Sequence, residues 1–176
     1  IDEQMLPQLN AVFSRLTETL TLEVHTGSDA KSPELLNAMQ ELAALTDKLQ
    51  VIEIKDEDNS PCVRFMKGES FTGLAFHGVP GGHEFTSFIL GIYNAAGPGQ
   101  GLDEADKKAI EAISSPVKFK ILISLSCTMC PDLVVAAQRM ASLNPLIEAE
   151  VYDLNLFPKL KDQYRVMSVP CLVIND

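Results

Sequence analysis

Two cysteines two residues apart, Cys127-Thr128-Met129-Cys130, stand at the end of an apolar run and are followed at once by Pro131. Two thiols at this spacing can close a disulfide, and the first lies where the start of a helix favours a thiolate. On that reading Cys127 attacks a partner disulfide and Cys130, one turn in, resolves the mixed disulfide. Pro131 suits the first helical turn, where its missing N–H costs little. The main competing use of such a pair is zinc, but a structural zinc site ordinarily has four ligands. The sequence has no second C-x-x-C, and His25, His77 and His83 all lie in the other half of the chain. Inert packing is the remaining alternative, so redox chemistry without a metal is the expectation.

For the pair to work, a strand must end just before it and a helix begin just after it. Residues 117–125 read as that strand, with Lys118 and Lys120 alternating with Phe119 and Ile121 before the run turns fully apolar. Leu133, Val134, Ala137, Met140 and Ala141 then recur at three- and four-residue steps, one apolar helix face. A second strand over 147–153, a short helix near 157–164 and Val169-Pro170-Cys171 complete the unit. A proline opening a strand after a βαβ unit is how a thioredoxin-type fold sets a cis-proline opposite its thiols, the alternative being an ordinary trans proline at a strand start. The bend brings the Val169 backbone beside the disulfide, where a substrate strand can pair with it.

The same order occurs earlier in the chain. A strand over 20–24 leads through Pro33 into a helix ending near Leu45, then a strand over 50–55, then Pro61-Cys62. Pro33 and Pro131 lie 98 positions apart, and by that shift Asp29 and Ser32 take the places of Cys127 and Cys130. The first copy thus keeps the scaffold without the thiols. Cys62 and Cys171 each follow a repeat proline and read as small buried hydrophobes. The first copy adds strands over 63–66 and 71–77, joined by a turn at Lys67-Gly68-Glu69-Ser70, and a helix over 83–93. The second copy stops at Ile174-Asn175-Asp176 without their counterparts, which would bare a sheet edge. The natural protein is therefore expected to continue past Asp176. Between the copies, Gly97-Pro98-Gly99-Gln100-Gly101 is too rich in Gly and Pro for a helix or strand interior. The division expected is 1–96, a copy without redox cysteines; 97–116, a linker and connecting helix; and 117–176, the copy with the C-x-x-C.

At Ser124-Leu125-Ser126-Cys127-x-x-Cys130-Pro131-Asp132, Leu143-Asn144-Pro145, Val169-Pro170 and Gly82-His83-Glu84-Phe85-Thr86-Ser87, the chain resembles the N-terminal domain of the flavoprotein subunit of bacterial alkyl hydroperoxide reductase. The resemblance covers nearly the whole chain, and the Glu84 block makes it far more specific than the cysteine pair. It implies an α/β fold class, two fused thioredoxin-like folds forming a continuous mixed β-sheet flanked by helices, with only the second fold redox-active. It implies electron relay from a flavin and NADH reductase module, on the same chain or separate, to a peroxiredoxin. It also implies that Glu84 sits near the disulfide as an acid/base group, a use that suits a partly buried carboxyl. The bland reading of Glu84 is a first-turn acid favoured by the helix dipole. His83 reads as a surface or capping residue, and Gly81 and Gly82 as turn residues. Val169, Pro170, Thr128 and Met129 are expected to meet the substrate. Thr128-Met129 departs from the more polar pair common in the family. The rival readings are a general protein disulfide oxidoreductase and a metal-binding or docking module.

Composition narrows the partners. Apolar residues make up 46% of 176 and charged residues 22%, an ordinary globular balance. Fourteen Lys plus Arg against twenty-four Asp plus Glu leave a net charge of −10, with no basic cluster. Nucleic acid and anionic membrane surfaces are thus poor partners. No apolar run approaches the roughly 18 residues of a membrane span, and Ile1-Asp2-Glu3-Gln4 lacks a secretory pattern. Four cysteines are too few for a disulfide-stapled scaffold, so a cytoplasmic chain with a working thiol pair is expected. The glycine-rich stretch at 97–101 does not meet the G-x-G-x-x-G spacing, so FAD and NADH belong to the implied reductase module and no cofactor is expected on this chain.

Overall fold

The computed structural model describes residues 1–176. Its first helix, α1 (Leu6–Phe13), carries Pro7 in its opening turn and buries Leu9 and Phe13. Strand β1 (Leu20–Thr26) buries Leu20, Leu22, Val24 and Thr26 on one face, the period of two that places alternate side chains in a core. Helix α2 (Lys31–Ala43) sets Leu35, Met39 and Leu42 at steps of four and three against that face. The chain returns as β2 (Leu49–Lys55), parallel to β1 and an edge strand in which only Leu49 is buried. Strands β3 (Cys62–Lys67) and β4 (Ser70–His77) form an antiparallel hairpin beside β1.

Helix α3 (Phe85–Ala96) is apolar on almost every side, and nine of its twelve residues are buried. A helix of that kind belongs in the middle of a molecule, and Phe88 sits edge-on to Phe65 and Phe76 with ring centroids 5.2 and 6.0 Å apart. After the glycine-rich stretch, α4 (Glu104–Glu111) leads into β5 (Val117–Ile123). Asn144 donates to the carbonyls of Ile110 and Ile113 at 2.9 Å, tying the end of this connecting helix to the far end of the next one. Helix α5 (Cys130–Leu143), strand β6 (Ile147–Asp153), the short helix α6 (Lys159–Gln163) and strand β7 (Cys171–Ile174) follow.

The seven strands form one mixed sheet in the order β2-β1-β3-β4-β6-β5-β7, the continuous sheet that the resemblance implies. The two halves meet at β4 and β6, which run parallel with Phe76 opposite Val151 and His77 opposite Tyr152. Gly73 makes the approach possible: its φ is +94°, and a Cβ there would lie 2.7 Å from the Ile147 carbonyl oxygen. One cluster of 29 buried apolar residues runs through both halves, from Leu9 to Val151. The strand expected over 117–125 stops at Ile123, because the next residues turn away toward the cysteines. Helix α1 is an addition to the expected elements. No helix is long and apolar enough to cross a membrane.

Candidate functional site

Beyond Ile123 the chain leaves the sheet. Ser124 Oγ lies 3.1 Å from Ser126 Oγ, and the Cys127 amide donates to the Ser124 carbonyl at 3.0 Å, closing a turn that lifts Cys127 out of the strand plane. Thr128 and Met129 are exposed, and Cys130 opens α5 with Pro131 in its first turn. The two cysteines are joined as a disulfide with their Cα atoms 5.6 Å apart. They differ sharply in access. Cys127 is half-buried, whereas Cys130 is 0% exposed, so an external thiolate can approach only the Cys127 sulfur. Exchange chemistry depends on which sulfur is open to attack.

The second loop of the site is the one before β7. The Val169–Pro170 peptide bond is cis, the one of its two open states that bends the chain toward the thiols, and the Val169 carbonyl oxygen lies 3.9 Å from Cys127 Sγ. Strand β7 then pairs antiparallel with β5, Cys171 opposite Leu122, which fixes this loop beside the end of the strand that carries the thiols. Cys171 is half-buried on this edge strand, not fully enclosed as the sequence pattern suggests. The loop also holds Met167, whose side chain is 96% exposed.

The Glu84 block arrives from the other half. Residues Gly82–Glu84 form a 3-10 turn ahead of α3, and the His83 amide donates to the Leu125 carbonyl at 3.0 Å. Gly82 has φ +52°, and a Cβ there would sit 2.7 Å from that same Leu125 oxygen. Only glycine meets both conditions without strain. Gly82→Ala is therefore expected to destabilise the protein by roughly 1–3 kcal/mol, read by urea unfolding. A loss below about 0.5 kcal/mol would show that the contact does not hold this turn in place.

Glu84 is 0% exposed. Its Oε1 accepts a 2.5 Å hydrogen bond from Ser87 Oγ, and its Oε2 has no partner. Burial pushes its pKa above the ordinary carboxylate value, and the Ser87 hydrogen bond works against that rise. Gln138 of α5 donates to the Ser87 carbonyl at 2.9 Å, coupling the carboxyl's support to the helix that begins at Cys130. His83 is exposed, as expected. Ser87 belongs to the sequence block that draws attention to Glu84, but its role as the carboxyl's donor shows only in three dimensions. Gln138 gives no local signal at all.

In the first copy a polar cluster takes the place of the disulfide. Ser32 Oγ donates to Asp29 Oδ2 at 2.6 Å, Ser60 Oγ donates to the same oxygen at 3.1 Å, and the Lys31 and Ser32 amides donate to Oδ1. Burial raises the Asp29 pKa, but these hydrogen bonds outweigh it and hold the carboxyl below its usual value. The Ser60–Pro61 bond is cis, so the proline loop recurs as well. Cys62 is buried, and burial pushes its thiol well up, the behaviour of an inert core cysteine. Its Sγ lies 3.9 Å from His77 Nε2, which sits 2.8 Å from Glu150 Oε1. No group of three or more His, Cys, Asp or Glu side chains is arranged to hold a metal ion.

A family described as a thioredoxin domain matches residues 117–176. Across 175 residues the chain is 31% identical to the alkyl hydroperoxide reductase component AhpF of Pseudomonas aeruginosa, covering 99% of this chain and 34% of that protein. The chain thus spans about a third of the length of the curated relatives it matches. Among solved structures it superposes on the NTD N/C domain of alkyl hydroperoxide reductase AhpF from Enterococcus faecalis with a TM-score of 0.92 and 38% identity, covering 99% of this chain and 90% of that one. A protein disulfide oxidoreductase from Aeropyrum pernix shares the fold at a TM-score of 0.82 and 23% identity, covering 99% of this chain and 84% of that one.

Proposed function

The chain belongs to the AhpF family of alkyl hydroperoxide reductase flavoproteins, and on that premise we propose that it is a thiol–disulfide relay module that passes electrons to a peroxiredoxin. The observation that carries this reading is the asymmetric disulfide at the start of α5, with Cys127 accessible beside the Val169 carbonyl and Cys130 enclosed.

In the reduced module the Cys127 thiolate attacks one sulfur of the partner's disulfide. That S–S bond breaks, a mixed disulfide forms, and the other partner sulfur leaves as a thiolate. Cys130 then gives up its proton and attacks Cys127 Sγ, which closes the disulfide here and releases the partner's second sulfur. Two electrons pass to the partner, and two protons accompany them. Glu84, buried and with a free Oε2, is the group we assign to take the Cys130 proton and return it in the opposite half-cycle. Val169 and Pro170 present main chain to the partner's extended segment, and Thr128 and Met129 line its approach.

The module is recharged by a flavin and NADH reductase, on the same chain or separate, in the cytoplasm. The reductase's FAD and NADH would supply the electron pair. The glycine-rich stretch at 97–101 does not fit either group: it follows the end of a helix rather than a strand, and a dinucleotide turn needs a strand leading into it. In this relay residues 1–96 form the copy without redox cysteines, 97–116 the linker and connecting helix, and 117–176 the redox copy.

Stopped-flow mixing of the pre-reduced protein with an oxidised two-cysteine peroxiredoxin, in parallel with insulin, tests the reading. The peroxiredoxin is expected to be reduced at least about tenfold faster, a difference of about 1.4 kcal/mol in transition-state binding. Equal rates would favour a general protein disulfide oxidoreductase, and no reduction of either would refute the relay.

A further inference from the structure

We propose that Met129 and Met167 form an apolar rim on which a partner seats the segment carrying its cystine, and that oxidation of these two thioethers by a hydroperoxide closes that seat. The proposal rests on the relay reading above and adds how the partner is held and how the site is regulated.

Met129 is 69% exposed and Met167 96%, and no other large apolar side chain in the chain is as exposed, the next being Ile174 at 55%. The other four methionines are buried or half-buried. The two most exposed apolar side chains therefore stand on the two loops that frame the disulfide. Met129 lies between the cysteines, and Met167 lies two residues before Val169, whose carbonyl faces Cys127 Sγ. Met167 also borders a cleft of about 420 Å³ lined by Ser124, Leu154, Pro158, Ser168 and Val169 among others, with Lys161 as its one charged residue.

The occupant follows from charge. In a chain of net charge −10, residues 124–131 and 166–171 contain no charged side chain. A basic segment finds no counter-charge on these loops, and an acidic one would still approach against the net charge. A neutral, extended segment with apolar residues next to its cystine suits the rim, and unbranched thioethers adapt to such residues with little loss of fit.

Exposure also decides the chemistry. A thioether sulfur attacks the terminal oxygen of a hydroperoxide, the O–O bond breaks and an S–O bond forms. Water or an alcohol leaves with the proton. Sulfur is oxidised by two electrons and the peroxide is reduced by two. The closed Cys127–Cys130 pair has no thiolate to compete. Each sulfoxide is polar where the rim was apolar, so the partner's segment loses its seat while the disulfide itself stays reducible.

The test treats the disulfide form with hydrogen peroxide, removes the oxidant, and compares modified with unmodified protein. Peptide mass spectrometry is expected to show one added oxygen on Met129 and on Met167 before the other four methionines. Modification is expected to raise KM for an oxidised two-cysteine peroxiredoxin about tenfold with kcat within twofold. The rate at which dithiothreitol reduces the Cys127–Cys130 disulfide should also stay within twofold. The M129L/M167L variant, which keeps both free thiols, should show less than a twofold change in KM on the same treatment, whatever its starting value. Uniform methionine oxidation, an unchanged KM, or equal loss in M129L/M167L would overturn the proposal while leaving the relay intact. Unmodified protein that fails to reduce the peroxiredoxin would refute the relay reading, and the rim with it.

Discussion

Cys127→Ser is expected to lower disulfide transfer by about 10³-fold or more, because serine at that position has no thiolate with which to attack. Cys130→Ala should fail in a different way. Cys127 remains accessible and still attacks, but no enclosed thiol follows to release the partner. A mixed disulfide should therefore accumulate, visible as a partner adduct on a non-reducing gel. The contrast comes directly from the burial difference across 5.6 Å between their Cα atoms. The fold should tolerate both changes, since the bond closes only a four-residue loop and Cys130 is one small member of a core cluster of 29 residues. If Cys127→Ser kept the parent rate, the assignment of attacking and resolving sulfurs would be wrong. If Cys130→Ala gave no adduct and turned over normally, the enclosed cysteine would have no part in release.

Glu84→Gln is expected to separate stability from activity. Burial raises the pKa of Glu84 in the folded protein, so the native state holds a proton that the unfolded chain has already lost over the interval between the ordinary carboxylate pKa and the raised one. Protons bound in excess by the native state make stability fall as pH rises. The benefit is complete below about pH 4, where the unfolded glutamate is itself protonated, and is lost as pH climbs through the folded pKa. Gln has no such loss. At neutral pH the variant should be at least as stable as the parent, with the two converging in acid. Activity should move the other way, falling on the order of 10²-fold if the carboxyl handles the Cys130 proton, and the pH dependence of kcat due to that group should vanish. Parallel stability curves for parent and variant would show that Glu84 is not held protonated by the fold. An unchanged rate and pH profile would remove it from the chemistry.

What the sequence alone reveals of this fold and site follows the range of the interactions involved. The C-x-x-C pair, its strand and helix, and the proline loop are local: each is fixed largely by neighbours within a few residues, and spacing places each of them, the strand to within two residues of its end. The repeated order of elements is legible for the same reason, with Asp29 and Ser32 falling 98 positions before the thiols. Their hydrogen bonds to one another and from Ser60 are not legible, because nothing in the string says that an aspartate will be held by several donors around it. Helix α1 leaves no clear trace because eight residues with two buried side chains make too short an apolar period to stand out. The exposure of Met167 is hidden as well, since nothing in the residues around it marks it as facing solvent.

By itself the sequence determined the cysteine pair at a strand–helix junction, the proline before the last strand, the repeated order of elements and the family, all of which rest on residue identities and short spacings. The tertiary structure decided which sulfur faces solvent, and it packed the Gly82–Glu84 turn against the Leu125 carbonyl more than forty positions away. It also buried one carboxylate oxygen of Glu84 without a partner, and set two methionines in water beside the disulfide. The physical reason is common to all four. Accessibility and desolvation depend on what the other half of the chain places against a residue. Here that depends on the β4–β6 pairing and on α3 packing beside α5, contacts that no local pattern encodes.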